Sequence, residues 1–339
     1  MTKRGFLAAA GGVPFAITLG LLLGACVVAL SGENPLNAYL EMATGALAPV
    51  NLVDTLAWAT PVAGMALAAA IPLRGGIVNL GGDGQLVIGG FSAAVVAVYV
   101  PGPPLLVTTA AILCACVLAG VYSAATVFGE TRLRIPVLIS SLLLSYPAIA
   151  ATYYLAAFPL RDTTTGLAQT LAVPLDVRLS VLSGPVSTGS VLVLVVAILA
   201  VLAERFTTWG YELRMRGLNK RFAIYSGIED EPQAIRAMFI SGAIAGLVGA
   251  VIVLGSHYRF QNGALITPGY TWSGLMAALL SKGNPLFALL SGIFFAALQT
   301  GGFAMQRETQ IPRVLSNILQ SFIILFLAMR QGLVRRRTP

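Results

Sequence analysis

The stretch GGIVNLGGDGQLVIGG, Gly75 to Gly90, is a polar, glycine-dense break in a chain otherwise built to live in lipid. Seven glycines in 16 residues favour interruption of a helix, each costing roughly 1 kcal/mol relative to alanine in a helix interior. Asn79, Asp83 and Gln85 stand at the break, where bare polar groups facing hydrocarbon would cost several kcal/mol each. Such a segment survives at membrane depth only when packed in protein or lining a watery cavity. Discontinuous helices of this kind are where transporters build a passage or a binding site.

The rest of the chain supports that setting. Charged residues make up 10% of it and hydrophobic residues 57%, against about 25% charged in soluble proteins, and the mean hydropathy is +0.85. A soluble domain of 339 residues could not hide that much apolar surface. The expected class is an all-α polytopic membrane protein, one transmembrane domain over residues 1–339 with a cytoplasmic segment at 204–235. Ten spans are expected: Phe6–Leu30, Val50–Ile71, the broken Gly76–Val100, Leu105–Phe128, Ile135–Phe158, Val186–Ala203, Ile235–Ser256, the short Thr267–Ser281, Asn284–Gly302 and Val314–Met329. The first is long enough to cross about 30 Å of hydrocarbon and has no small-residue cleavage site after it. PLNAYLEMATGAL, Pro35 to Leu47, reads as a short interfacial helix.

The net charge of +8 reports orientation rather than a nucleic-acid partner. With these spans, 16 of the 21 Lys and Arg fall on the side of the N-terminus, including Lys3, Arg4, Arg214, Arg216, Lys220, Arg236, Arg336 and Arg337; Arg161, Arg178, Arg259, Arg307 and Arg313 fall on the other. The positive-inside rule then puts both termini in the cytoplasm. Cys26, Cys114 and Cys116 have no zinc spacing, and His257 is the single histidine, so no metal site is expected.

A second interruption, Asn262 to Ser281, lies in the other half of the chain, with Pro268 and Gly269 breaking its entry. Paired interruptions point to a central pathway between two halves. The polar candidates for substrate contact are Asn79, Asp83 and Gln85, and the aromatic ones Tyr270 and Trp272. The bland alternative is that Asn79 and its neighbours satisfy backbone groups freed at the break, and that the aromatics are interface anchors.

The inner segment RMRGLNKRFAIYSGIEDEPQAIR, Arg214 to Arg236, mixes Phe222, Ile224, Tyr225 and Ile228 with Arg, Lys and Glu. Positive-inside bias explains its arginines but not apolar residues kept beside them with no bilayer to enter. Gly217 and Gly227 bracket a candidate docking helix of about two turns for a cytoplasmic partner.

Here the chain resembles the permease subunits of bacterial ABC importers for nucleosides and simple sugars, those served by basic-membrane-protein-type binding proteins. GGIVNLGGDGQLVIGGFSAA (Gly75 to Ala94) is similar to that family's "N-I-G-x-E-G-Q" signature. RGLNKRFAIYSGI (Arg216 to Ile228) is similar to its coupling loop, "G-x-N-x-x-A-A-x-Y-x-G-I". SGAIAGLVGAVIVLG and PGYTWSGLMAALLSKGNP, within Ser241 to Pro285, match its "S-G-A-L-A-G-L-A-G" and "G-Y-G-F-x-G-I-A-V-A-L-L-G" stretches. Asp83 stands where glutamate is usual, Leu80 where isoleucine is, and Phe222 in place of an alanine.

The resemblance implies a type II-like importer permease in the bacterial inner membrane. It also implies that Arg216, Gly217, Asn219, Tyr225 and Gly227 belong to a coupling segment seated on an ABC ATP-binding subunit. Its further partners would be a second permease, copy or paralogue, and an extracytoplasmic substrate-binding protein. The chain has no G-x-x-x-x-G-K-[ST] phosphate loop, so ATP and Mg would be bound by the partner and no catalytic residue is expected here. A secondary transporter driven by an ion gradient would also show broken helices, and differs by needing no ATPase. An intramembrane enzyme would need a nucleophile or metal setting, and neither HExxH nor GxSxG is present.

Overall fold

A computed structural model describes residues 12–30, 32–309, 311, 312 and 314–335. The expected start of the first span, Phe6–Gly11, lies outside the described residues, as do Lys3, Arg4, Arg313, Arg336 and Arg337. In chain order the helices are α1 (Gly12–Leu30), α2 (Pro35–Leu47), α3 (Pro49–Arg74), α4 (Gly82–Tyr99), α5 (Pro104–Ala125), α6 (Val127–Leu133) and α7 (Val137–Ala157). A two-stranded hairpin, β1 (Val181–Ser183) and β2 (Val186–Ser187), follows. Then come α8 (Thr188–Phe206), α9 (Thr208–Leu218), α10 (Lys220–Tyr225), α11 (Asp230–Ile252), α12 (Tyr270–Leu280), α13 (Pro285–Glu308) and α14 (Val314–Arg335).

Among the described residues, seven helical stretches are long and apolar enough to cross a membrane, or eight if the bent pair Ile17–Leu30 and Pro35–Leu47 counts as one span. The expected ten are therefore not all found as full-length spans. The interruption at Asn262–Ser281 explains one difference. Its helical part, α12, has 11 residues, about 16 Å at 1.5 Å per residue, half of a 30 Å core. At the other end of the chain α14 runs 22 residues, with Asn317–Phe326 an apolar stretch among its described side chains.

The chain forms two compact units. One comprises the described parts of Met1–Ala59 and Ile293–Pro339. There α1 packs on α14, a Cβ at Gly24 falling 2.2 Å from the Leu319 side chain. Trp58 tilts against Phe303 at 5.4 Å between ring centroids.

The larger unit, Thr60–Gly292, is organised around α11. Its buried face SGAIAGLVG, Ser241 to Gly249, repeats glycine at 242, 246 and 249. A Cβ at Gly246 would lie 2.3 Å from the Ala115 carbonyl of α5, and one at Gly89 of α4 would lie 2.3 Å from Gly246 Cα. Three helix backbones thus approach across one glycine, the small-residue packing that replaces hydrophobic drive inside lipid. The core around it holds Leu67, Leu86, Val248 and Leu254, all fully buried.

The connections that follow α7 and α11 are ordered by backbone pairing. Val173 N donates to the Tyr258 carbonyl at 2.8 Å and Thr170 N to the Phe260 carbonyl at 2.9 Å, so the stretch after α7 and the stretch after α11 run as an antiparallel pair. Asp162, buried beside this pair, accepts from the Thr164 hydroxyl and amide and lies 3.8 Å from Arg259. Those hydrogen bonds hold its carboxyl below the usual carboxylate range, with Arg259 adding a smaller pull.

Candidate functional site

The break begins where α3 stops. Gly76 adopts a left-handed conformation (φ 76°), Ile77 N donates to the Pro72 carbonyl at 2.9 Å and Gly76 N to the Leu73 carbonyl at 3.0 Å. This pair of bonds is a Schellman stop, which needs a residue free of Cβ strain at that position. Ile77 to Gly81 then return toward the bundle without helix, and α4 starts at Gly82.

The polar residues of that return are buried and bonded to one another. Asn79 Nδ2 donates to Gln85 Oε1 and to Ser241 Oγ, both at 2.9 Å. Asn79 Oδ1 accepts from Gly81 N at 2.8 Å and from Gln85 Nε2 at 3.2 Å. The Ser241 hydroxyl donates to the Ala68 carbonyl at 2.6 Å, and Ser141 Oγ of α7 accepts from Leu80 N at 3.1 Å. Gln85 is only 1% exposed. The network closes the turn onto α3, α7 and α11 and satisfies backbone groups that the break frees.

Asp83 behaves differently. It sits in the first turn of α4, where a carboxylate complements the helix dipole, and it is only partly buried. The Thr271 hydroxyl of α12 faces it without reaching hydrogen-bonding geometry. A Cβ on Gly82 would lie 2.5 Å from Thr271 Cγ2 and 3.1 Å from the Met65 methyl, and one on Gly274 2.6 Å from Met65 Cβ. The starts of the two interrupted helices therefore meet on the middle of α3. Of the aromatic candidates, Tyr270 is partly buried against the core and Trp272 is 50% exposed. The structure thus splits the expected pathway residues into an internal pair, Asn79 and Gln85, and a more open group, Asp83, Tyr270 and Trp272.

On the segment after α8, α9 and α10 meet at Asn219, which ends one helix and caps the next: its Oδ1 accepts from Phe222 N at 3.0 Å. Gly227, at φ 85°, closes α10 with Ile228 N on the Ala223 carbonyl and Gly227 N on the Ile224 carbonyl, a second Schellman stop. A short capped helix between Gly217 and Gly227 is what the spacing anticipates. Its exposed surface carries large apolar side chains beside Lys220 and Arg221: Tyr225 is 90% exposed, and Leu218, Phe222 and Ile224 are exposed near it.

Two members of the same segment face inward instead. A Cβ on Gly217 would lie 2.0 Å from the Arg74 carbonyl, so its backbone sits directly on the turn that opens the break. Arg216 is buried, its Nη1 donating to the Gly75 carbonyl at 2.6 Å and its Nε to Asp230 Oδ1 at 2.8 Å. Around them Arg74 pairs with Glu204 at 2.9 Å, and Lys220 with Asp230 at 2.9 Å and Glu130 at 3.3 Å. Sequence reasoning missed Ser141, Ser241 and Thr271, and placed Asp230 in the acidic run after the short helix without its partner Arg216. Ser241 stands in the quoted SGAIAGLVG stretch, but nothing local marks it as the partner of a residue 162 positions away.

Apolar helices long enough to cross a membrane, one of them interrupted at a polar break, and a short capped helix among ion pairs describe a membrane-embedded component of the kind transporters use. Comparison with known proteins agrees: the family described as "Branched-chain amino acid transport system / permease component" matches residues 51–328, and the chain belongs to it. A glucose ABC transporter permease of Haloferax volcanii is 29% identical over 96% of this chain and 89% of its own length. A guanosine ABC transporter permease of Bacillus subtilis is 28% identical over 92% of this chain and 91% of its own. A nucleoside ABC transporter permease of Lactococcus lactis is 26% identical over 93% and 89%. The resemblance to ABC permeases carried by the three motifs holds along nearly the whole chain.

Proposed function

We propose that this chain forms half of the translocation pathway of an ATP-driven importer for nucleosides or related small sugars, in a bacterial inner membrane with both termini in the cytoplasm. The observation that carries the reading is the α10 helix, capped at both ends and presenting Tyr225, Phe222 and Ile224 to solvent beside a lattice of ion pairs. An apolar helix face displayed on the basic side suits the groove of a cytoplasmic ATP-binding subunit. ATP and Mg then belong to that subunit, and this chain catalyses nothing itself. The complex needs a second permease to close the pathway and an extracytoplasmic binding protein to deliver the solute.

Substrate contact falls to the open group. Asp83, Tyr270 and Trp272 stand in the first turns of α4 and α12, where the starts of the two helices meet on α3. A ribose or hexose offers hydroxyls to Asp83, and a base offers a flat face to Trp272. Asn79 and Gln85 line the same break and set its shape. Relatives named for guanosine, nucleoside and glucose transport support this substrate range.

The test is reconstitution with the ATP-binding subunit, second permease and binding protein encoded beside it, screening labelled nucleosides against pentoses and hexoses. ATP-dependent uptake of a nucleoside or sugar is expected. Uptake by this chain alone, driven by an ion gradient, would overturn the reading.

A further inference from the structure

Arg216 stands apart from the rest of the docking segment. It is 5% exposed, so it is an internal residue, while its neighbours Leu218 and Tyr225 stand free. Burying a guanidinium is costly unless its donors are matched, and here they are matched to two different elements. Nη1 holds the Gly75 carbonyl at the mouth of the break, and Nε holds Asp230 in the first turn of α11. Asp230 also takes Lys220 Nζ, the first residue of α10, on its other oxygen. Gly217 brings the α9 backbone onto Arg74 to Gly76 at the same point.

A second tie lies deeper. Asn79, four residues beyond Gly75, is bonded to Ser241, which is on α11 with Asp230. Asp230 and Ser241 are separated along α11 by about 16 Å at 1.5 Å per residue. The break is thus pinned to one rigid helix at two levels, and Arg216 provides the outer pin. Beside it lies a cavity of about 590 Å³ lined in part by Gly76, Ile77, Val78, Arg134 and Lys220, which gives the turn room to move.

We propose that Arg216 is a positioning residue that carries displacement of the docked α10 helix into the broken span, through the Gly75 carbonyl and Asp230, rather than a contact to the ATP-binding subunit. The proposal rests on the docking function of α10 stated above, and adds how the signal leaves that helix. A loop held only by Gly217 packing would absorb a small displacement. A planar cation bridging a carbonyl and a carboxylate, one N–H to each, transmits it.

The experiment uses the full complex with Cys26, Cys114 and Cys116 replaced by serine and a reporter, Val78→Cys, in the cavity wall. Labelling by a hydrophilic maleimide is followed with and without ATP plus vanadate, alongside co-purification of the ATP-binding subunit. In the parent a nucleotide-dependent change in labelling rate of at least about threefold is expected. Arg216→Ala should abolish that change while the ATP-binding subunit still co-purifies, and Arg216→Lys should restore part of it. A purely structural arginine would lower yield or melting temperature and leave the nucleotide response of the surviving complexes intact, which would overturn the proposal. Loss of co-purification in Arg216→Ala would also overturn it, by making Arg216 a docking residue. Failure of the parent complex to bind the ATP-binding subunit at all would instead bring down the docking reading beneath it.

Discussion

The break at Ile77–Gln85 and the segment at Arg216–Gly227 are both polar, glycine-flanked interruptions of an apolar chain, yet they end up inside out relative to each other. In the break, the polar side chains Asn79 and Gln85 are buried and bonded to one another and to Ser241. In the segment at Arg216–Gly227, the apolar side chains of Leu218, Phe222, Ile224 and Tyr225 are exposed. A buried polar group must find its partners within the fold. An exposed apolar side chain needs none there, and the docking function proposed for α10 rests on three of them, Phe222, Ile224 and Tyr225, with Leu218 at the end of α9 beside them. The difference separates residues that hold this chain together from residues that address a partner.

The largest expected effect lies behind the break. Gly246→Leu forces four heavy atoms into a site where a single Cβ already meets the Ala115 carbonyl at 2.3 Å. Backbone cannot yield as a side chain does, so the loss should exceed the roughly 1–3 kcal/mol of ordinary overpacking. Size-exclusion profiles in detergent should show aggregated chain in place of a monodisperse peak. A monodisperse peak with unchanged melting temperature would dissolve the three-helix contact.

Next comes the network itself. Asn79→Ala strands the Gln85 amide and the Gly81 N–H, while Ser241 keeps its bond to Ala68, and each buried group left without a partner costs about 1–3 kcal/mol. Ser241→Ala removes one bond to Asn79 and one to Ala68 but leaves Asn79 tied to Gln85 and Gly81. Thermal unfolding should therefore rank Asn79→Ala clearly below Ser241→Ala, with uptake per folded molecule changing less than stability in both. The reverse, intact stability with uptake lost, would move Asn79 from the scaffold to the pathway.

The smallest stability effect belongs to the open group. Trp272 is half exposed, so Trp272→Ala should shift stability by no more than about 0.5–1 kcal/mol. It should weaken competition by nucleosides several-fold more than competition by plain sugars. Equal losses for both would remove base stacking from the account.

The break and the short helix between Asn219 and Gly227 were legible in the sequence because their signals are local. Glycine density around Asn79 marks an interruption, and a cap-and-stop spacing from Asn219 to Gly227 marks a two-turn helix. The span count was less legible. A window over Thr267–Ser281 is apolar enough to suggest a crossing, but Gly269, at φ 75°, starts a helix of only 11 residues. Hydropathy cannot tell a half-helix buried in protein from a full one in lipid. Least legible was where the segments meet. Gly217 resting on Arg74, Arg216 holding the Gly75 carbonyl and Thr271 touching Gly82 all join residues far apart in the chain. Each needs the tertiary fold to exist before its chemistry can be read. Gly217 and Gly227 illustrate the point. Their spacing treats them alike, yet Gly217 is required by close backbone packing and Gly227 by its left-handed conformation with open space around it.

The most direct measurement is co-purification of the ATP-binding subunit with Tyr225→Ala, set beside the melting temperature of the same variant alone. Tyr225 is 90% exposed, so its removal should leave the melting temperature of the permease within a degree or two while recovered ATP-binding subunit falls about tenfold. Full recovery of the subunit would contradict the assignment of α10 as the docking surface. A large drop in melting temperature would show that Tyr225 holds this chain together instead.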